Sequence, residues 1–258
     1  MEVSRHYGEH EARVVALDRV TLDVPAGEFT AVMGPSGSGK STLMHCLAGL
    51  DRPDAGRVLL GERDITRLGD RELTLLRRRE IGFVFQAFNL IPTLTALENI
   101  LLPFDLDGRR PDAEQQAWID HLLDRLELRQ RAGHLPGELS GGQQQRVAIA
   151  RALATRPRMV IADEPTGNLD SRSGAEVLRI LREAAARFGQ TIVMVTHDPV
   201  AAAAADSIVF LADGAVRRHE RGLDAEAVSG VMLGRIETVH AGRRVAGPQL
   251  AGQQGGGR

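Results

Sequence analysis

The chain has 258 residues, 43% of them hydrophobic, and 32 Lys and Arg against 34 Asp and Glu give a formal net charge of -2. That length and composition suit one large domain or two small ones around a real core and exclude wholesale disorder, and the charge balance gives no reason to expect nucleic acid as a partner. A single cysteine, Cys46, excludes an intrachain disulfide framework and a cysteine-rich zinc site, and aromatics are only 3%, with one Trp and one Tyr.

No run of about 18 uncharged apolar residues occurs, so no membrane span is encoded. The N-terminus, with Glu2, Arg5, His6, Glu9 and His10, has no apolar signal-peptide core. The expectation is a soluble, reduced, cytoplasmic protein. Along the chain, Val20, Leu22 and Val24 alternate as on a half-buried strand. Phe29 to Met33 is a short apolar run stopping at Gly34, and Thr42 to Leu50 follows with helical spacing. After the turn Pro53-Asp54-Ala55-Gly56 comes Val58-Leu59-Leu60. The middle is helical: one helix starts near Pro111-Asp112 and carries Trp118, Leu122 and Leu126, and a second runs from about Ser140 to Ala154. Met159 to Ala162 and Thr191 to Val195 are compact apolar runs typical of buried parallel strands, with a helix through Val177, Leu178, Leu181 and Ala185 between them. Ile208 to Leu211 and Val216 flank Asp213-Gly214, a hairpin signal. The pattern predicts an α/β core interrupted by a helical insertion at 87–158, a C-terminal extension at 223–239 and a flexible tail over 240–258.

Gly34-Pro35-Ser36-Gly37-Ser38-Gly39-Lys40-Ser41 fits the phosphate-binding pattern G-x-x-x-x-G-K-[ST] in full, with Thr42 following, between a predicted strand and a predicted helix. Glycines let the backbone wrap an anion with its N–H groups inward, and the helix N-terminus adds a positive dipole. Lys40 is placed to reach β- and γ-phosphates and Ser41 to offer a hydroxyl to Mg²⁺. Strand Val160-Ile161-Ala162 ends in Asp163 and Glu164. Ligands collect beyond the carboxyl ends of parallel strands, so Asp163 is expected to hold Mg²⁺ and Glu164 to act as general base on water. Two acids alone would read as a strand simply ending at the surface; with the loop upstream they read as chemistry. In Leu139-Ser140-Gly141-Gly142-Gln143, Ser140 suits an N-cap and the glycines expose N–H groups at a helix start.

This last motif resembles the signature of ABC-type ATPases, and other positions match that family in order. Gln86, after Gly82-Phe83-Val84-Phe85, resembles the Q-loop glutamine, which touches Mg²⁺ and water and hinges to the helical insertion. Asn168-Leu169-Asp170 resembles the D-loop, with Asp170 communicating across a dimer, and His197 resembles the switch histidine at the γ-phosphate. Tyr7 sits where the family carries an aromatic that stacks on adenine, although the strand residues that usually precede it are almost absent. The runs Ile81 to Ile100 and Ala162 to Asp170 look most like the ATPases of lipoprotein-release, macrolide-export and cell-division systems.

The resemblance, over residues 3–222, implies a P-loop NTPase fold: a RecA-like core with an antiparallel β subdomain (1–86 and 159–222) and an inserted helical signature subdomain (87–158). It implies ATP and Mg²⁺, a head-to-tail homodimer in which each signature helix caps the partner's ATP, and a separate membrane permease met by the apolar stretch Gln86 to Leu102. That would hold the protein at the inner face of the plasma membrane. A regulatory ATPase that signals through a membrane partner without moving substrate stays open. A DNA-repair or translation ABC protein is disfavoured by the single cassette, and a P-loop GTPase by the lack of Asn-Lys-x-Asp. Arg77-Arg78-Arg79 reads as a solvated helix face, and Cys46 and Trp118 read as core.

Overall fold

The computed structural model describes residues 1–8 and 14–234; the expected tail over 240–258 lies outside them. The central sheet has six strands. In spatial order they are β10 (Ala215–Arg221), β9 (Ser207–Ala212), β3 (Phe29–Met33), β8 (Thr191–Val195), β7 (Met159–Asp163) and β6 (Ile81–Phe85). All neighbours pair in parallel except the β9/β10 hairpin at the edge. That hairpin turns at Asp213-Gly214, both with positive φ (50° and 70°), as its dipeptide predicts.

Both faces of the sheet are covered, and strand alternation sorts the side chains. Phe29, Ala31, Met33, Val160, Ala162, Ile192, Met194, Ile208 and Phe210 join one buried cluster. Val32, Ile161, Val193, Val195, Val209 and Leu211 join the other. The first cluster also holds residues of α3 (Ala96–Leu106), α4 (Ala113–Arg125), α5 (Gly141–Leu153), α6 (Ser171–Phe188), α7 (Pro199–Ala202) and α8 (Ala225–Met232). The second holds α1 (Lys40–Leu47), α2 (Asp70–Glu80) and a small antiparallel ribbon of β1 (Val3–Tyr7) and β2 (Val14–Val20). A two-residue pair, β4 (Leu59–Leu60) and β5 (Arg63–Asp64), completes the strands among the described residues. Cys46 and Trp118 are buried, as expected.

Three expectations need correction. The strand read over Val20, Leu22 and Val24 ends at Val20: pairing with β1 runs only from Val14 to Val20, and Leu22 and Val24 pack against the core without a ladder. Helix α1 stops at Leu47 with Ala48 as its cap, and Leu50, beyond left-handed Gly49 (φ 60°), is exposed. The arginine run is a solvated face only in part: Arg79 is exposed, while Arg77 and Arg78 are half-buried. Arg77 donates to the Gly49 carbonyl at 2.7 Å. Arg78, Arg79 and Arg109 all bond Asp107, whose side chain is only 3% exposed.

Asp107 caps α3 and Arg78 and Arg79 lie on α2, so this knot ties the inserted helices to the core. The knot, Arg79 first, holds the Asp107 carboxyl below the usual carboxylate range. Its stabilisation is therefore complete above the unfolded pKa of about 3.9 and lost as pH falls through the folded value. Asp107→Asn is expected to melt a few degrees below the parent at pH 7, with the gap closing in acid below about pH 4, followed by circular dichroism.

Candidate functional site

The loop after β3 shows why it is glycine-rich. A Cβ on Gly34 would lie 2.1 Å from the Leu211 carbonyl, and one on Gly39 (φ 100°) would lie 2.3 Å from the Ala16 carbonyl. Gly37 has open space around it but a φ of 79°, a conformation that side chains with a Cβ resist. Pro35, Ser36 and Gly37 are exposed and Ser38 is buried. Gly39 is the N-cap of α1 and no side chain caps that helix, so the N–H groups of Lys40, Ser41 and Thr42 face the loop uncapped. Lys40 Nζ donates to the carbonyls of Gly34 (2.8 Å) and Pro35 (2.9 Å). Burial lowers the Lys40 pKa, while Glu164 and Asp163 oppose that shift. Buried Ser38 Oγ has no hydrogen-bond partner. A narrow loop with an uncapped helix start, a lysine and an orphan hydroxyl fits an anionic oxygen ligand.

Beside it, β7 and β8 end at the same level, Asp163 opposite Val195. The ladder continues one step beyond both strands: Glu164 N donates to Val195 O (2.9 Å) and Thr196 N to Val32 O (3.2 Å). Asp163 sits at the last strand position, and burial followed by the charge of Glu164 raises its pKa, with His45 and Lys40 countering. Glu164 takes a φ of 44°, which turns its side chain out of the strand's alternation. Its carboxylate accepts from Thr196 Oγ1 (3.1 Å), His197 N (3.0 Å) and His197 Nδ1 (2.7 Å). Lys40, Asp163, Glu164 and His197 are thus gathered at one end of adjacent parallel strands.

Gln86, just past β6, is held by a reciprocal amide pair with Asn168, in the segment that follows Glu164. Its Nε2 donates to Asn168 Oδ1 (3.3 Å), and Asn168 Nδ2 donates to the Gln86 carbonyl (3.0 Å). Tyr7 is 40% exposed; its hydroxyl donates to Asp51 (2.6 Å) and Arg5 lies 4.8 Å over its ring. Tyr7 pairs with Val14 on β2, and Ala16, two residues on, touches Gly39. That sets Tyr7 about 7 Å along the ribbon from the phosphate loop.

Ser140 caps α5 as its sequence predicts: Gln143 N donates to its hydroxyl (3.3 Å) and Gln143 Oε1 accepts from Ser140 N (2.9 Å). Leu139 is buried. Gly142 lies against α6, where a Cβ on it would be 3.0 Å from Ser173 Oγ, and Gly141 faces Leu169 and Phe88. That hydroxyl donates to Asp170 (2.7 Å), and Asp170 also caps α6 through the N–H groups of Arg172 and Ser173 (3.0 Å each). Within one chain, then, the signature residues meet the segment around Asp170. Of the apolar stretch Gln86 to Leu102, Ile91 is exposed, Phe88, Leu90 and Leu97 are half-buried and Ile100 is buried.

Sequence reasoning missed four side chains that hold this arrangement. Thr196 clamps Glu164, Asn168 holds Gln86, Gln145 reaches Pro165, and Arg151 donates to the carbonyls of Phe88 (2.9 Å) and Asn89 (2.6 Å). Only Thr196 and Asn168 carried a signal: Thr196 adjoins His197, and Asn168 lies in the Asn168-Leu169-Asp170 motif itself.

A family model described as ABC transporter matches residues 17–167. The chain is 51% identical over 219 residues to the macrolide export ATP-binding/permease protein MacB 1/2 of Paracoccus denitrificans, covering 85% of this chain but only 32% of that protein's length. It is 44% identical to the lipoprotein-releasing system ATP-binding protein LolD of Acinetobacter baylyi, covering 83% of this chain and 93% of LolD. In structure it is similar to the ATP-binding cassette MJ0796, described as dimeric in a post-hydrolysis state bound to ADP and Pi (TM-score 0.76, 44% identity, 86% and 97% of the two chains). MJ0796 comes from Methanocaldococcus jannaschii. The phosphate loop, the paired acids and the capped start of α5 all fall within the residues that the family model matches, and the chain belongs to the ABC transporter family as an ATP-binding and ATP-hydrolysing cassette.

Proposed function

We propose that the chain works as a head-to-tail homodimer that couples ATP hydrolysis to a separate membrane permease of the export or lipoprotein-extraction type. Among the described residues no helix is long and apolar enough to cross a membrane, so the reading puts the protein at the inner face of the plasma membrane through that partner. The relatives' names support it: MacB joins an ATP-binding and a permease part, and LolD is the ATP-binding protein of a release system. The same reading divides the chain into a nucleotide-binding core (1–86 and 159–222), a helical signature unit (87–158) and a C-terminal extension (223–239).

In the mechanism, Gly34 to Thr42 wrap the phosphates and Lys40 exchanges its two loop carbonyls for phosphate oxygens. Among the described residues no three His, Cys, Asp or Glu side chains cluster to hold a metal alone. Mg²⁺ would be held by Ser41, Asp163 and Gln86 together with phosphate oxygens of the nucleotide. Mg²⁺ when bound neutralises charge on the β- and γ-phosphate oxygens. Glu164 takes the proton of a water whose oxygen attacks the γ-phosphorus as the bond to the bridging oxygen breaks. His197 contacts the γ-phosphate and holds the Glu164 carboxylate meanwhile. The triple clamp on Glu164 is the observation that carries this reading, because it fixes a base's direction before substrate binds. Leu139 to Gln143 act in trans on the partner's ATP, Asp170 reports across the interface, and Tyr7 stacks on adenine.

Glu164→Gln is expected to abolish turnover and trap an ATP-bound dimer, read by phosphate release and sedimentation; near-normal hydrolysis removes Glu164 from the base role. Tyr7→Ala is expected to weaken ATP binding by about 1–3 kcal/mol in a nucleotide titration, whereas unchanged affinity rules the ring out as the adenine platform. Affinity-tagged chain solubilised from its native membranes should co-purify with a membrane-spanning permease. A partner that stimulates ATPase activity but moves no substrate in vesicles points to the regulatory role instead.

A further inference from the structure

Gln145 lies in the second turn of α5, just past the signature residues, and is fully buried. Its Nε2 donates to the Pro165 carbonyl at 2.5 Å, and the facing carbonyl fixes which end of the amide points there. Its Oε1 has no hydrogen-bond partner. A buried amide with its acceptor unused is a poor way to fill space, since an apolar side chain of the same volume would avoid the desolvation cost. What the glutamine contributes is a fixed end for the loop it touches.

That loop carries Glu164. Pro165 follows it directly, Glu164 holds a φ of 44°, and Gly167 N donates back to the Glu164 carbonyl (3.0 Å), closing the turn. Thr196 and His197 hold the carboxylate from the β8 side. From the opposite side, Gln145 holds the backbone. The rest of α5 is itself braced: a Cβ on Gly82 would lie 2.3 Å from the Ala152 carbonyl, and Arg146 bonds Glu176 on α6 at 2.9 Å.

We infer that Gln145 is a positioning residue for ATP hydrolysis: from the signature helix it holds the Pro165 carbonyl and thereby keeps the Glu164 side chain aimed at the attacking water. The inference rests on Glu164 being the base. It also joins two jobs in one chain, because the helix whose start faces a partner's nucleotide sets the reach of this chain's own base. A shift of α5 by a fraction of an ångström is passed to Glu164 through one short hydrogen bond.

The test is steady-state Mg-ATP hydrolysis by the full chain carrying Gln145→Leu, with Gln145→Asn, one methylene too short to reach, as a second variant should the first not fold. The expected result is a kcat lowered about tenfold to a hundredfold with KM for ATP within about twofold, the pattern of lost alignment rather than lost binding. A kcat within about twofold of the parent, or KM rising as kcat falls, overturns the inference. Glu164→Gln is assayed beside them. If it is inactive while both Gln145 variants turn over normally, only the role of Gln145 fails; if it turns over, the base reading fails and the route through it falls too.

Discussion

The site depends on one constraint, the common register of β3, β8 and β7. Val32 pairs with Val195 and Val195 with Asp163, so the three strands end within one residue of one another. Each strand then delivers a different chemical group at the same height: the glycine loop with Lys40, the pair Thr196 and His197, and the acids Asp163 and Glu164. The two backbone bonds that prolong the ladder, Glu164 to Val195 and Thr196 to Val32, carry that order past the regular strands. A one-residue slip would exchange the two packed faces of a strand and send the acids to the wrong side. Burial on both faces makes such a slip prohibitive, so the hydrophobic clusters and the geometry of the candidate site have a common cause.

Much of this was legible in the residues. The buried strands announce themselves as short apolar runs, and Ser140, Pro111-Asp112 and Asp213-Gly214 announce a cap, a helix start and a hairpin turn because local chemistry decides those features. The glycine loop and the acidic strand end were legible because chance seldom assembles such residue types in that order. Long-range pairings were not legible. Nothing near Arg79 in sequence points to Asp107, and nothing near Gln145 points to Pro165; such bonds exist only once helices and strands are docked. The overextended strand at Leu22 and Val24 has a related origin, since alternation records burial on one face but not whether a neighbour offers hydrogen bonds.

The inserted helices are also less separate than their position between β6 and β7 suggests. They share a buried cluster with the sheet, α5 presses on Gly82 of β6, and Arg151 grips the backbone at Phe88 and Asn89, two consecutive residues with positive φ (60° and 49°). Strained backbone of that kind persists when surrounding contacts over-determine it. The connection after Gln86 is therefore a braced joint rather than a slack linker. Motion of the helices would be transmitted to Gln86 and to the loop after Glu164.

The crowding around Gly34 and Gly39 bears on how substitutions in the phosphate loop are to be interpreted. Those two glycines are demanded by the carbonyls of Leu211 and Ala16, on neighbouring strands of the protein's own architecture. Selection would retain them even in a descendant that had lost its nucleotide, and a disabled variant at either position reports damaged packing before it reports a missing ligand contact. Gly37, with open space around it, is the position where the requirements of the fold and of the phosphate come apart, so it is there that evolutionary tolerance would record which of the two has been kept.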